Sequence, residues 1–247
     1  MSEVKVQFLG SGDAFGSGGR FQTCIYVQAE STRFLIDCGA SSLIAMKRFG
    51  VEPSTIDQIV LTHLHGDHFG GLPFLIRETQ ILSKRTNPLT IAGPRGLEER
   101  IRGTMEMLFP GSAQVRQTFP LKFVELPEQE AYVLGPLRIT AYPAIHTPGT
   151  APHSVRVECA GKVISYSGDT QWSDALLEVA KDTDLFVCES FFFEKEVKNH
   201  LSYRTLMAHR SQLSCRRLII THMSDEMLSQ LEHLETEWAE DGLYVVL

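Results

Sequence analysis

Thr62-His63-Leu64-His65-Gly66-Asp67-His68 follows directly on the apolar run Ile59-Val60-Leu61. Four candidate metal ligands, His63, His65, Asp67 and His68, fall within six residues, after a predicted strand and ahead of a predicted helix. Strand ends are where open α/β folds place their sites. Imidazole and carboxylate suit zinc, and also manganese or iron, and a tight loop can aim alternate side chains at two neighbouring cations. Gly66 is expected to let the backbone turn sharply between them. With only nine histidines in 247 residues, chance does not account for this cluster.

Two metals need more ligands than one loop supplies, and the rest of the chain offers them at further strand ends. His146 follows a strand predicted at 139–142, Asp169 follows one at 163–166, and His222 follows one at 218–220. Singly, each has an ordinary explanation, since a lone histidine is often a satisfied core or surface residue and Gly-Asp is a common turn. Jointly, three strand-end positions after a four-ligand loop read as the remainder of one centre.

Elsewhere the pattern is of strands, then alternating helices and strands, twice over. Strands are predicted at 4–9, 21–29, 33–36, 57–61, 89–92, 121–125, 131–134, 137–141, 154–159, 162–166, 184–188, 217–220 and 243–246, being short and rich in β-branched and aromatic residues. Helices are predicted at 41–49, 72–82, 96–108, 174–180, 202–210 and 225–238. Two halves of similar β-then-α content imply two mixed sheets packed face to face with helices outside, in one domain covering 1–247.

Hydrophobic residues make up 43% and charged residues 21%, ordinary globular usage. No apolar stretch approaches the roughly 20 residues of a membrane span, and the start lacks the pattern of a signal peptide, so a soluble, cytoplasmic protein is expected. The five cysteines are widely spaced and read as reduced core thiols. A formal net charge of −7 argues against a broad nucleic-acid-binding surface. The segment 84–116 does hold six basic residues against three acidic ones, read as a solvated helix face rather than an anion-binding patch.

The ligand pattern resembles the metallo-β-lactamase superfamily over nearly the whole chain, from Gly10 to Leu247. The resemblance implies a four-layer αβ/βα sandwich with two divalent metals, zinc in preference to manganese or iron, at one edge. It implies that His63, His65 and His146 bind the first metal, that Asp67, His68 and His222 bind the second, and that Asp169 bridges them. His65, where di-iron redox members carry Glu, favours hydrolysis. Gly10-Ser11-Gly12-Asp13-Ala14, Ile36-Asp37-Cys38-Gly39, Ala92-Gly93-Pro94-Arg95-Gly96 and Leu185-Phe186-Val187-Cys188-Glu189 look like the ribonuclease Z and phosphodiesterase branch. Asn199-His200-Leu201-Ser202 stands in place of that branch's His-Ser-Thr motif, so that His200 would contact the scissile phosphate or protonate the leaving oxygen; the plainer reading is a helix-capping surface histidine. Only 22 residues separate His146 from Asp169, too few for the long arm with which ribonuclease Z grips tRNA. A homodimer is compatible with the resemblance.

These readings predict phosphodiester hydrolysis by a hydroxide shared between two metals, oriented by Asp67 and assisted by His200, on small or cyclic nucleotides in preference to tRNA. Thioesters, lactones and β-lactams are the enzymatic alternative, and a non-catalytic metal- or partner-binding protein is the other. The glycine-rich start precedes a strand rather than a helix, so it is not a dinucleotide fingerprint. It reads as a rim loop with Asp13 or Ser17 near substrate. Asp37 reads as a buried carboxylate orienting a ligand histidine.

Overall fold

A computed structural model describes residues 3–247. The first half supplies β1 (Lys5–Gly10), β2 (Cys24–Ala29), β3 (Thr32–Ile36), β4 (Gln58–Val60), β5 (Leu89–Gly93) and β6 (Leu121–Glu125). The second supplies β7 (Ala131–Leu134), β8 (Leu137–Pro143), β9 (His153–Cys159), β10 (Lys162–Tyr166), β11 (Leu185–Glu189), β12 (Leu218–Thr221) and β13 (Glu237–Trp238). Then β14 (Tyr244–Val246) crosses back and pairs antiparallel with β1. The result is two seven-stranded sheets, ordered β14-β1-β2-β3-β4-β5-β6 and β13-β12-β11-β10-β9-β8-β7. In each sheet an antiparallel part gives way to parallel strands at β3 or β10.

Alternation along the strands sets the layers. Phe34 and Ile36 face the opposite sheet, where they join Ile139, Val155, Val157, Ile164 and Val187 in an inter-sheet core. Leu35, between them, faces outward with Ile59 and Ile91 onto α1 (Ser42–Arg48), α3 (Leu72–Ile81) and α4 (Leu97–Leu108). On the far side Phe186, Cys188 and Ile220 pack against α5 (Ala175–Ala180), α6 (Tyr203–Ala208) and α7 (Asp225–Leu228). This is the expected metallo-β-lactamase-like αβ/βα sandwich. The remaining helix, α2 (Gly66–Phe69), is one turn within the ligand loop. All five cysteines are free, and no helix among the described residues is long and apolar enough to cross a membrane.

One predicted element is corrected. The long helix expected at 225–238 is instead α7, a 3₁₀ turn at Leu231–His233, and β13. Leu228, Leu231, Leu234 and Trp238 do pack on the outer core, as their helical spacing suggests. Backbone pairing overrides it, because Glu237 and Trp238 add a strand to the exposed edge of β12. Between His146 and Asp169 lies one hairpin, β9–β10, closed by Ala160 and Gly161, both at positive φ as a two-residue type I′ turn requires.

Phe34 is fully buried between the sheets. Truncation to alanine should therefore lower stability by about 3–5 kcal/mol, read as a shift in the urea midpoint. A change under about 1 kcal/mol would mean that the sheets are not locked by this layer.

Candidate metal centre

Every sequence-predicted ligand lies at the C-terminal end of a strand, on one edge of the sandwich. His63 to His68 follow β4, His146 follows β8, Asp169 follows β10 and His222 follows β12. Ligand atoms of His63, His65, His146 and Asp169 lie within 4.8 Å of one another, and so do those of Asp67, His68, Asp169 and His222. Asp169 is common to both groups. Its Oδ2 is 3.8 Å from His63 Nε2, 3.8 Å from His146 Nε2 and 3.5 Å from His222 Nε2, while Oδ1 is 3.3 Å from His68 Nε2. Asp67 Oδ2 lies 3.2 Å from His68 Nε2 and 3.3 Å from His222 Nε2.

The backbone holds this edge tightly. A Cβ on Gly39 would fall 2.2 Å from the Asp67 carbonyl oxygen, and Gly168, at φ 58°, approaches the His153 carbonyl oxygen too closely for any side chain. Gly66 differs from expectation: it opens α2 without positive φ and has open space around it, so the loop's turn does not depend on glycine there.

Orienting hydrogen bonds decide which imidazole nitrogen faces the centre. His146 Nδ1–H donates to the Asn199 carbonyl (2.7 Å), and His68 Nδ1–H donates to Asp37 Oδ2 (2.7 Å). Thr62 Oγ1 gives its proton to Asp37 (2.7 Å), so its oxygen accepts from His63 Nδ1–H (3.0 Å). Each bond turns Nε2 inward, the arrangement that metal-binding histidines adopt. Asp37, fully buried and also accepting the Thr62 N–H at 2.8 Å, is thus the orienting carboxylate that its sequence position suggested.

His200 completes the edge. Its Nδ1–H donates to Glu189 Oε2 (3.0 Å), and its ring stacks on Phe191 with centroids 4.6 Å apart. Glu189 is itself fully buried and accepts the Thr170 N–H. The helix-capping reading fails, because Ser202 caps α6 by accepting from Thr205 N. Sequence reasoning missed Glu189 and Asn199 as partners. A carboxylate ending the apolar strand Leu185-Phe186-Val187-Cys188 was the available signal for the first. Asn199 acts through its main-chain carbonyl, which residue identity does not announce. Asp13 is fully buried and spends its oxygens on Phe15 N, Ser17 N and Ser17 Oγ, so in this structure both residues shape the rim loop.

The electrostatics call for cations. Burial and the neighbouring His68 hold His63 well below the usual imidazole range. Against burial, Asp169, Asp67 and Asp37 hold His68 well above it, and Asp169 and Asp67 push His222 up to about 9. Asp169 Oδ1 is buried with no hydrogen-bond donor. Nitrogens of His63 and His146 converge on His65 Nδ1 at 3.2 and 3.1 Å. Such a set is poorly satisfied by itself and well satisfied by divalent ions, so these residues fit metal.

Similar proteins share this fold. The ribonuclease Z of Agathobacter rectalis is 26% identical over 277 aligned residues, covering 91% of this chain and 89% of that one. The metallo-β-lactamase-fold protein YhfI of Bacillus subtilis superposes with a TM-score of 0.80 at 21% identity, over 99% of this chain and 100% of its own. Human tRNase Z, short form, gives a TM-score of 0.78 at 23% identity, over 98% of each chain. Fold and site together define a ribonuclease Z-like hydrolase of the metallo-β-lactamase superfamily. Within that class the chain belongs to the family described as Anti-Pycsar protein Apyc1, whose model matches residues 4–239.

A pH dependence follows from His222. Its folded value of about 9 lies above its ordinary 6.5, so its contribution to metal-free stability is complete below 6.5 and lost as pH rises through 9. Metal needs the neutral imidazole, so affinity should rise over the same interval. Thermal melts of chelator-treated protein should show Tm falling from pH 6.5 to 9, while the increment produced by added zinc grows. An increment that shrinks with pH would contradict this linkage.

Proposed function

We propose that this chain is a metal-dependent phosphodiesterase acting on small nucleotides, cyclic ones included. The observation that carries the reading is the convergence of seven donors on one sandwich edge around Asp169, with the His200–Glu189 pair beside them. His63, His65, His146 and Asp169 would hold one ion, and Asp67, His68, His222 and Asp169 the other. Bound there, two divalent ions, zinc being the best match to a histidine-rich set, supply Lewis acidity and a hydroxide nucleophile at neutral pH.

The chain's own residues do the rest. Asp67 accepts a hydrogen bond from the attacking water as well as serving as a ligand. His200, held in one orientation by Glu189 and Phe191, delivers a proton from Nε2 to the leaving oxygen. Against its burial, the hydrogen bond that His200 donates to Glu189 raises the His200 pKa, which favours the protonated ring. Both sheets contribute donors to one centre, which supports reading 1–247 as a single catalytic unit.

Small substrates are favoured over tRNA by the short β9–β10 hairpin. The alignment to the A. rectalis ribonuclease Z spans 277 positions, more than the 247 residues of this chain, so that relative carries insertions that this one lacks.

Asp169→Ala should abolish both bound metal and turnover of bis(p-nitrophenyl) phosphate. His200→Ala should retain metal by elemental analysis and lose kcat by about 10²–10⁴-fold. Hydrolysis of acyl esters or lactones, with none of phosphodiesters, would overturn the reading in favour of carbonyl chemistry.

A further inference from the structure

Resting on the phosphodiesterase reading, we propose that the cavity between α4 and the two ligand loops is the binding site for the base of a nucleotide whose phosphodiester lies at the metal centre. The cavity measures about 450 Å³, within the roughly 300–1,000 Å³ of small-molecule sites. Its walls include Leu64, between the ligands His63 and His65, and Gly149, three residues beyond His146. The opposite wall is the exposed face of α4 and the loop before it, which bring Glu99, Arg100 and Met107 from the helix and Arg95 from the loop to the same space.

The helix is organised for this. Leu97, Ile101 and Met105, four residues apart, are buried against the first sheet. Glu99, Gly103 and Met107, at the same spacing, form the stripe that lines the cavity. Gly103 stands mid-helix, where glycine is disfavoured relative to alanine. Nothing in the packing requires it: its φ is not positive, and an added Cβ would meet no heavy atom within 4 Å. What glycine preserves at this position is open volume.

The charges point to a base rather than to a second anion. Among the described residues, Arg95 and Arg100 make no salt bridge, whereas nearby Arg102 is engaged by Glu98 at 2.8 Å and Arg85 is buried on backbone carbonyls. The basic segment therefore divides into structural arginines and two that face the cavity. Glu99 on the same wall would repel an additional phosphate. A nucleobase offers what this lining matches: a flat apolar face for Leu64, Met107 and a stacking guanidinium, ring carbonyls for arginine donors, and an exocyclic amine for the Glu99 carboxylate.

The test compares a nucleoside 3′,5′-cyclic monophosphate with the base-free ribose cyclic phosphate, in wild type, Arg100→Ala and Gly103→Leu, alongside thermal melts. The ratio of kcat/KM for the nucleotide to that for the base-free compound should fall about tenfold in each variant, mostly through KM. Tm of Gly103→Leu should be unchanged or higher, since the new side chain enters open space. Ratios within twofold of wild type in both variants overturn the assignment, as does a parallel loss on both substrates. A wild-type protein that cleaves acyl esters and neither phosphodiester overturns the phosphodiesterase reading itself, and this assignment with it.

Discussion

Asp169 is 2% exposed, and its two oxygens lie 3.3 to 3.8 Å from imidazole nitrogens of His63, His68, His146 and His222. A buried carboxylate is tolerable only where positive charge or hydrogen-bond donors meet it, and here the neighbours are imidazoles. In the metal-free chain, protonated His68 and His222 supply that charge; divalent ions would supply it more fully. His63 and His68 come from the first sheet, whereas His146, His222 and Asp169 itself come from the second. The inter-sheet packing of Phe34 and Ile36 on Ile164 and Val187 is therefore what aligns the two strand edges that meet there.

Around that carboxylate, residues divide by which nitrogen they fix. Asp37, Thr62 and the Asn199 carbonyl occupy the Nδ1 positions of three histidines and turn Nε2 inward. Glu189 does the same for His200, which shares no orienting partner with the candidate ligand histidines and which the proposal makes the proton donor. One device, a hydrogen bond to Nδ1, thus yields both ligands and a candidate acid. Only the surroundings separate the two outcomes.

Much of this was legible in the sequence because it is local. Each candidate ligand follows a short apolar run that ends at the sandwich edge, so residue type and strand prediction together pointed to the seven side chains that the fold brings together. The repeated β-then-α content of the two halves likewise announced two packed sheets with helices outside. Features decided by tertiary pairing were hidden. The 225–238 segment has helical spacing but gives up its end to the edge of β12, and Asp13, read as near substrate, commits its oxygens to its own loop. Gly66 seemed necessary for a turn, whereas the glycines that admit no side chain include Gly39 and Gly168, whose neighbours are distant in sequence.

The proposed centre shares one buried carboxylate, Asp169, between two cation sites. Anomalous diffraction at the zinc edge from crystals of zinc-loaded protein tests it most directly. Two peaks are predicted, one within His63, His65 and His146 and one within Asp67, His68 and His222, with Asp169 between them. A single peak, or two peaks of which either lies outside these groups, would contradict it.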